Sequence, residues 1–472
     1  MISWARVVAH IHHSGRRETQ HDAGSGSDLV EPCRSNVANV RCMWLRSATA
    51  GVSSATGRHR WAVSFWATFL TMGDRDIRRF YADRVEPEEL LSILSSHFGG
   101  AEGDRHGGVL FPSAKDFRVR LRVDNDGIAD LELGRGLAES EANDLAREVR
   151  EKLVENQSPV VVRGIVFCSI PVGGYFVAPE DAFHLIPAPP QAPRPPAFVG
   201  DHPLVIEFPV NSSSDSLIRT HRIGRDLARW IWFLNSVLLD HFATYSRSRQ
   251  SWFLSVDRDV DPARPEVRWG QEGYFIPDWT PPTDDFTLPA GPAITIRSQD
   301  DYYARRGVSV NEMLTLPDSF ETDVRRFLAL GPASRSRFLQ GGQWVTASRD
   351  LWGSHMSAWY IAQVAAIETL VHEDEPPDLC SECGRDKNQR PTARFKDFLE
   401  RYAPGTGSRT EIDRLYSVRS GLVHGGTLLH HDSPFGSGML AFATNEREPM
   451  DRLSRAVTIA MVNWLRANAV GA

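Results

Sequence analysis

The chain has 472 residues, enough for two or three domains, and 41% of them are hydrophobic, ample for packed cores. A net charge of −7 argues against a broad nucleic-acid-coating surface, so any nucleic-acid contact is expected to be local. Positive charge is almost all arginine, since lysine occurs only at Lys115, Lys152, Lys387 and Lys396; with the abundant Ala, Gly and Arg this reads as genomic bias, not as phosphate binding.

Residues 1–71 show no sustained periodicity and are rich in Ser, Gly, Ala, His and Arg, with Gly24-Ser25-Gly26-Ser27 as a flexible patch. The texture changes at Met72, which reads either as the true start or as the end of a disordered extension. Trp61 to Met72 is apolar but only 12 residues long, too short for a membrane helix and too far from the start for an ordinary secretory signal.

Residues 72–316 read as an α+β domain. A helix begins at Pro87. Phe117 to Val123 alternates as a half-buried strand, Asp124-Asn125-Asp126-Gly127 is a hairpin turn, and Ile128 to Leu133 returns. A charged helix is expected over Ala138–Val154, a strand over Pro159–Ile170, and a proline-rich connector near 187–203. Leu204–Val210 is a further strand, and Ser216–Thr244 a long helix carrying Trp230, Phe233 and Leu234. Trp252–Val256, Val267–Ile276 and Ala293–Ile296 complete the strands. This region holds no phosphate loop and no dinucleotide fingerprint, and sensing or partner binding is its default reading.

From about residue 317 to 472 the pattern turns helical. Six helices are predicted: Ser319–Leu330, Ser334–Leu351, Ser354–His372, Thr392–Tyr402, Thr410–His424 and Pro449–Ala467. The fifth has Thr410 as its expected N-cap, Glu411 and Asp413 in an acidic first turn, an apolar stripe of Ile412, Leu415, Tyr416, Leu422 and Val423, and Gly425-Gly426 as its stop.

The five cysteines, Cys33, Cys42, Cys168, Cys380 and Cys383, make no disulfide framework, which fits a reducing cytoplasm. Cys380-Ser381-Glu382-Cys383 is half of a zinc knuckle, with His372 the nearest further candidate ligand. A closed site needs four ligands, so free or redox-active thiols are the simpler reading and no cofactor is expected. His430 and His431 read as solvated loop residues that could contact RNA.

Chemistry concentrates in Leu415-Tyr416-Ser417-Val418-Arg419-Ser420-Gly421-Leu422-Val423-His424-Gly425. Arg419 supplies a guanidinium and His424 an imidazole, the pair of side-chain types needed to stabilise a phosphate in flight and to move protons. The plain alternative is a solvated arginine and a histidine interacting with the helix dipole. The string resembles the Arg-x4-His motif of HEPN domains, most closely the Apea-like group of bacterial proteins of defence type. Ser357 to Leu370 is similar to that group's helix with a glutamate near its end, here Glu368, and Arg394-Phe395-Lys396-Asp397-Phe398 resembles its connecting helix. The resemblance covers about a third of the chain and implies an all-α bundle that dimerises. It implies a composite, metal-independent endoribonuclease site that leaves a 2′,3′-cyclic phosphate. Carried over, His424 is general acid or base, Arg419 stabilises the transition state, Ser420 takes a position often held by Asn, Asp or His, and Glu368 orients Arg419 or lies on the helix surface. RNA and a second copy of the chain are then the partners, with no membrane involved. The family also contains non-catalytic adaptors that dimerise and bind a nucleotide or protein.

Overall fold

The computed structural model describes residues 77–80, 87–104, 108–113, 117–123, 129–134, 136–155, 158–193, 201–245, 252–257, 266–271, 276, 285–288, 290–304, 312–371, 391–432 and 446–469. The 1–71 segment, the 124–127 turn, much of the proline-rich connector, His372, Cys380 and Cys383 lie outside them. Contacts divide the chain into two compact units, residues up to 157 with 213–218, and residues 158–212 with 219–472.

The first unit contains β1 (Ile77–Phe80), α1 (Pro87–Phe98), β2 (Glu102–Gly103), β3 (Val109–Pro112), β4 (Phe117–Val123), β5 (Ala129–Leu133) and α2 (Glu139–Arg150). Its sheet is antiparallel in the order β1-β5-β4-β3-β2. Alternation along β4 buries Val119 and Leu121 with Phe111, Leu131, and Leu90, Ile93 and Leu94 of α1. On the other face Arg120 pairs with Glu132 and Asp104. The helix expected as far as Val154 widens instead into a π-helical turn at Glu151–Glu155. Leu145, Val149 and Leu153 recur every fourth residue, a spacing that drifts by about 40° per step on an α-helix. The wider turn keeps Leu153 in the same core as the other two.

The second unit opens with β6 (Ser158–Cys168), β7 (Phe176–Val177), β8 (His184–Pro187) and β9 (His202–Ser212), followed by α3 (Ser216–Val237), which belongs to this unit from Arg219 onward, and β10 (Phe242–Ala243). These strands form an antiparallel sheet in the order β10-β6-β9-β8-β7. β11 (Trp252–Asp257) and β12 (Glu266–Gln271) make an antiparallel pair. β13 (Thr295–Arg297), α4 (Gln299–Ala304) and β14 (Thr315–Pro317) follow, with β13 and β14 parallel. The remainder is helical: α5 (Phe320–Ala329), α6 (Pro332–Leu351), α7 (Met356–Leu370), α8 (Pro391–Tyr402), α9 (Arg409–His424) and α10 (Arg447–Asn468). All six expected helices are present, within a few residues at each end.

The expected division at residue 317 is not where the contacts divide. One core runs from Val166, Leu204, Ile206 and Phe208 of the sheet to Phe327, Phe338, Trp359, Leu453 and Trp464 of the helices. Phe233 of α3 belongs to the same core and packs on the helical set, with its ring 4.7 Å from Phe327 and 6.4 Å from Phe338. The helices therefore share their core with a sheet rather than closing one of their own.

α3 stops at Val237, short of the expected Thr244. Arg349 of α6 is half-buried there and donates to the carbonyls of Asn235, Leu238 and Asp240. The Asn235 carbonyl is one of the acceptors a helix leaves open at its C-terminus, and those of Leu238 and Asp240 belong to the chain just beyond it. Burial pulls the Arg349 pKa down to about 10, with Asp240 opposing, so the side chain stays cationic at neutral pH. No helix among the described residues is long and apolar enough to cross a membrane.

Candidate functional site

α9 begins one residue before the expected start and is capped by Ser408, not Thr410. Ser408 and Glu411 form a reciprocal capping box: the Ser408 amide donates to Glu411 Oε2 at 2.7 Å, and the Glu411 amide to Ser408 Oγ at 3.4 Å. Arg452 of α10 adds an ion pair to Glu411. The Ser408 amide and Arg452 together hold the Glu411 carboxyl down at about 2. Lys396 of α8 pairs with Asp413, so the first turns of α9 are tied to both neighbouring helices.

Further along, Ile412, Leu415 and Tyr416 face the core, and the Tyr360 hydroxyl of α7 donates to the Leu415 carbonyl at 2.8 Å. Arg419 lies three residues after Tyr416, so both project to the side where α7 passes. α7 places Glu368 against them. Arg419 Nη2 donates to Glu368 Oε2 at 3.1 Å, and Tyr416 Oη donates to Glu368 Oε1 at 3.1 Å. The Arg419 guanidinium also lies 5.5 Å from the centre of the Tyr416 ring. Arg419 remains 22% exposed and Glu368 33% exposed, so the pair is open to water on one side. Burial and the neighbouring Glu368 charge both push the Tyr416 pKa up, with Arg419 opposing, so the hydroxyl keeps its proton and can donate.

His424 is the last helical residue and is exposed. It lies about 7.5 Å along the axis and about 140° around it from Arg419, which puts the two residues on different sides of the helix. The chain then turns at Gly425 and Gly426, the latter with φ of +63°. Thr427 Oγ1 donates back to the Gly421 carbonyl at 3.0 Å. Val423 and Leu428 flank His424 in sequence and are 44% and 59% exposed. A Cβ added at Gly421 would meet only Thr427 Oγ1, at 3.5 Å, so packing within the chain does not demand a glycine there.

The loop after the motif is fastened to the start of α7. The Met356 and Ser357 amides donate to the Asp432 carboxylate at 2.9 and 2.5 Å, capping α7, and the Leu429 amide donates to Ser357 Oγ. α7 therefore meets the motif segment at both of its ends, at Glu368 and at the Asp432 cap.

Of the residues singled out from the sequence, Arg419 and Glu368 are brought into contact. His424 stands exposed at the helix end, and Ser420 is half-buried outside the hydrogen-bonded group. His430 and His431 lie in a single helical turn, His430 exposed and His431 half-buried 3.6 Å from Asp432. The apolar stripe accounts for the Tyr416 ring, yet its hydroxyl joins the polar group. The signal was its place three residues before the arginine. Trp359 and Trp464 are buried in the core, whereas Trp344 and Trp352 are 42% and 48% exposed. Among the described residues no cluster of three or more His, Cys, Asp or Glu is arranged to hold a metal.

No protein-family model matches this chain, and no curated protein and no solved structure matches it.

Proposed function

We propose that the helical part of the second unit is a HEPN-like, metal-independent endoribonuclease, working as a homodimer in the cytoplasm in a defence or toxin role. The observation that carries this reading is the placement of the motif. Glu368 and Tyr416 hold Arg419 at one corner of its guanidinium, and His424 stands exposed at the end of the same helix. A guanidinium has five N–H donors, so the side that faces water is left for a phosphate. The order of α7, α8 and α9 follows that of the resembling family, and the open surface at Gly421 suits close approach by a second α9.

In this reading a neutral His424 takes the proton of a ribose 2′-hydroxyl. The oxygen attacks the adjacent phosphorus, forming the 2′-O–P bond, while the P–O5′ bond breaks. The protonated His424 of the second protomer gives its proton to the leaving 5′-oxygen. Arg419 stabilises the extra negative charge on the phosphoryl oxygens. The products are a 2′,3′-cyclic phosphate and a 5′-hydroxyl. The first unit, with its separate core, supplies sensing or partner binding.

The test uses the full chain, its His424→Ala variant and mapping of RNA 5′-hydroxyl ends. The native protein should generate such ends with and without EDTA, and the variant should not. Cleavage that EDTA stops, or that His424→Ala carries out at the native rate, overturns the mechanism. A stable dimer without cleavage would leave the non-catalytic adaptor in its place.

A further inference from the structure

We propose that Tyr416 is a positioning residue, whose hydroxyl locks the Glu368 carboxylate so that it presents Arg419 in one orientation. This rests on the nuclease reading for its kinetic consequence but not for its geometry. Glu368 has two carboxylate oxygens and divides them: Oε1 accepts from Tyr416 and Oε2 from Arg419, each at 3.1 Å. A carboxylate held by a single donor can rotate about its last side-chain bond, and any partner moves with it. A second donor on the other oxygen removes that freedom. Tyr416 can serve as the fixed point because its ring is itself immobilised. It is 7% exposed and packs 5.1 Å from the Phe395 ring of α8. The same ring lies under the guanidinium, so one side chain restrains Arg419 both through its hydroxyl and through its face. Three helices thus converge on one arginine: α8 on the tyrosine ring, α7 through the carboxylate, and α9 carrying both tyrosine and arginine. A purely structural tyrosine would need only the packing.

Phenylalanine separates the two roles, because it keeps the ring against Phe395 and removes only the hydroxyl. The first readout is the Arg419 Nε–H resonance of the full-length protein labelled with ¹⁵N-arginine, assigned by its loss in Arg419→Lys. It should be a distinct, restrained signal in the native chain and should move to the position of a free arginine in Tyr416→Phe and in Glu368→Gln. Glu368→Asp, whose shorter arm cannot reach both donors, should do the same and serves if Tyr416→Phe does not fold. An Arg419 signal unchanged in Tyr416→Phe, or in Glu368→Asp where that variant stands in, overturns the proposal. The second readout is kinetic. Tyr416→Phe and Glu368→Gln should each lower kcat by about tenfold with little change in KM, because a misaimed group loses transition-state contact before it loses substrate. The double variant should be no slower than either single one; losses that multiply would show that Tyr416 does not act through Glu368, and would also overturn it. If the native protein cuts no RNA, the nuclease reading fails alone, and the resonance still decides whether Tyr416 positions Arg419.

Discussion

Arg466 on α10 and Arg419 on α9 each meet a carboxylate from another helix, but they are held in different ways. Arg466 gives Nε and Nη2 to the two oxygens of Asp323, at 2.8 and 2.7 Å, and Nη2 also donates to Ser319. Asp323 is 1% exposed and takes a further donor from Arg326. Burial works against the Arg466 charge, but Asp323 outweighs it and raises the pKa. Arg419 gives one nitrogen to one oxygen of a Glu368 that is 33% exposed. The first pair is closed on itself and fastens α5 to α10. The second spends part of its bonding capacity on position and leaves the remainder facing solvent. The difference separates a closed ion pair from one whose arginine keeps part of its surface open to water, and both appear in the sequence simply as arginine.

That contrast can be broken by substitution. Arg466→Ala leaves a buried carboxylate with fewer partners and should cost about 3–5 kcal/mol, read as a lower urea midpoint with unchanged slope. A loss below about 1 kcal/mol would place the pair among ordinary surface bridges. Arg419→Lys should leave that midpoint almost unmoved and, on the nuclease reading proposed above, reduce RNA cleavage by about a hundredfold, or about 2.7 kcal/mol of barrier, since an ammonium lacks the planar fork. If the two variants behave alike in stability, the distinction between fastening and working arginine is wrong.

Two smaller effects sharpen it. Asp432→Ala removes the α7 cap and should lower stability by about 1 kcal/mol, with faster amide exchange at Met356 and Ser357. An unchanged exchange rate at those two amides would remove the cap from the account. The smallest effect concerns acid. Glu411 has its carboxyl depressed from an ordinary 4.5 to about 2, so its contribution is complete above pH 4.5 and fades as pH falls through about 2. Protection of the first turn of α9 should therefore persist at pH 4 and disappear near pH 2. Loss of protection already near pH 4.5 would show that the Ser408 box and Arg452 do not hold that charge.

Some of this was legible in the residues. The helices of the C-terminal region and the strands at Phe117–Val123 and Trp252–Asp257 follow from hydrophobic period and turn chemistry, which are local properties. The Ser408 cap was also legible, because serine followed three residues later by glutamate is a capping signature, and Thr410 was the weaker choice. Glu368 beside Arg419 was anticipated as one of two roles, and the tyrosine hydroxyl was not, because an apolar stripe accounts for a tyrosine without asking where its oxygen goes.

By itself the sequence determined where the six C-terminal helices and about half of the strands lie, since these depend on side chains within a few positions of one another. Only the tertiary structure decided that α3 ends on Arg349, 112 positions after Val237 by numbering, and that the sheet of 158–212 shares a core with the C-terminal helices. It alone decided that Tyr416, Glu368 and Arg419 form one hydrogen-bonded group. Period and propensity state which face of an element is apolar or which group needs a partner. They carry no information on which distant segment provides it, because that choice is made by packing among elements far apart in the chain.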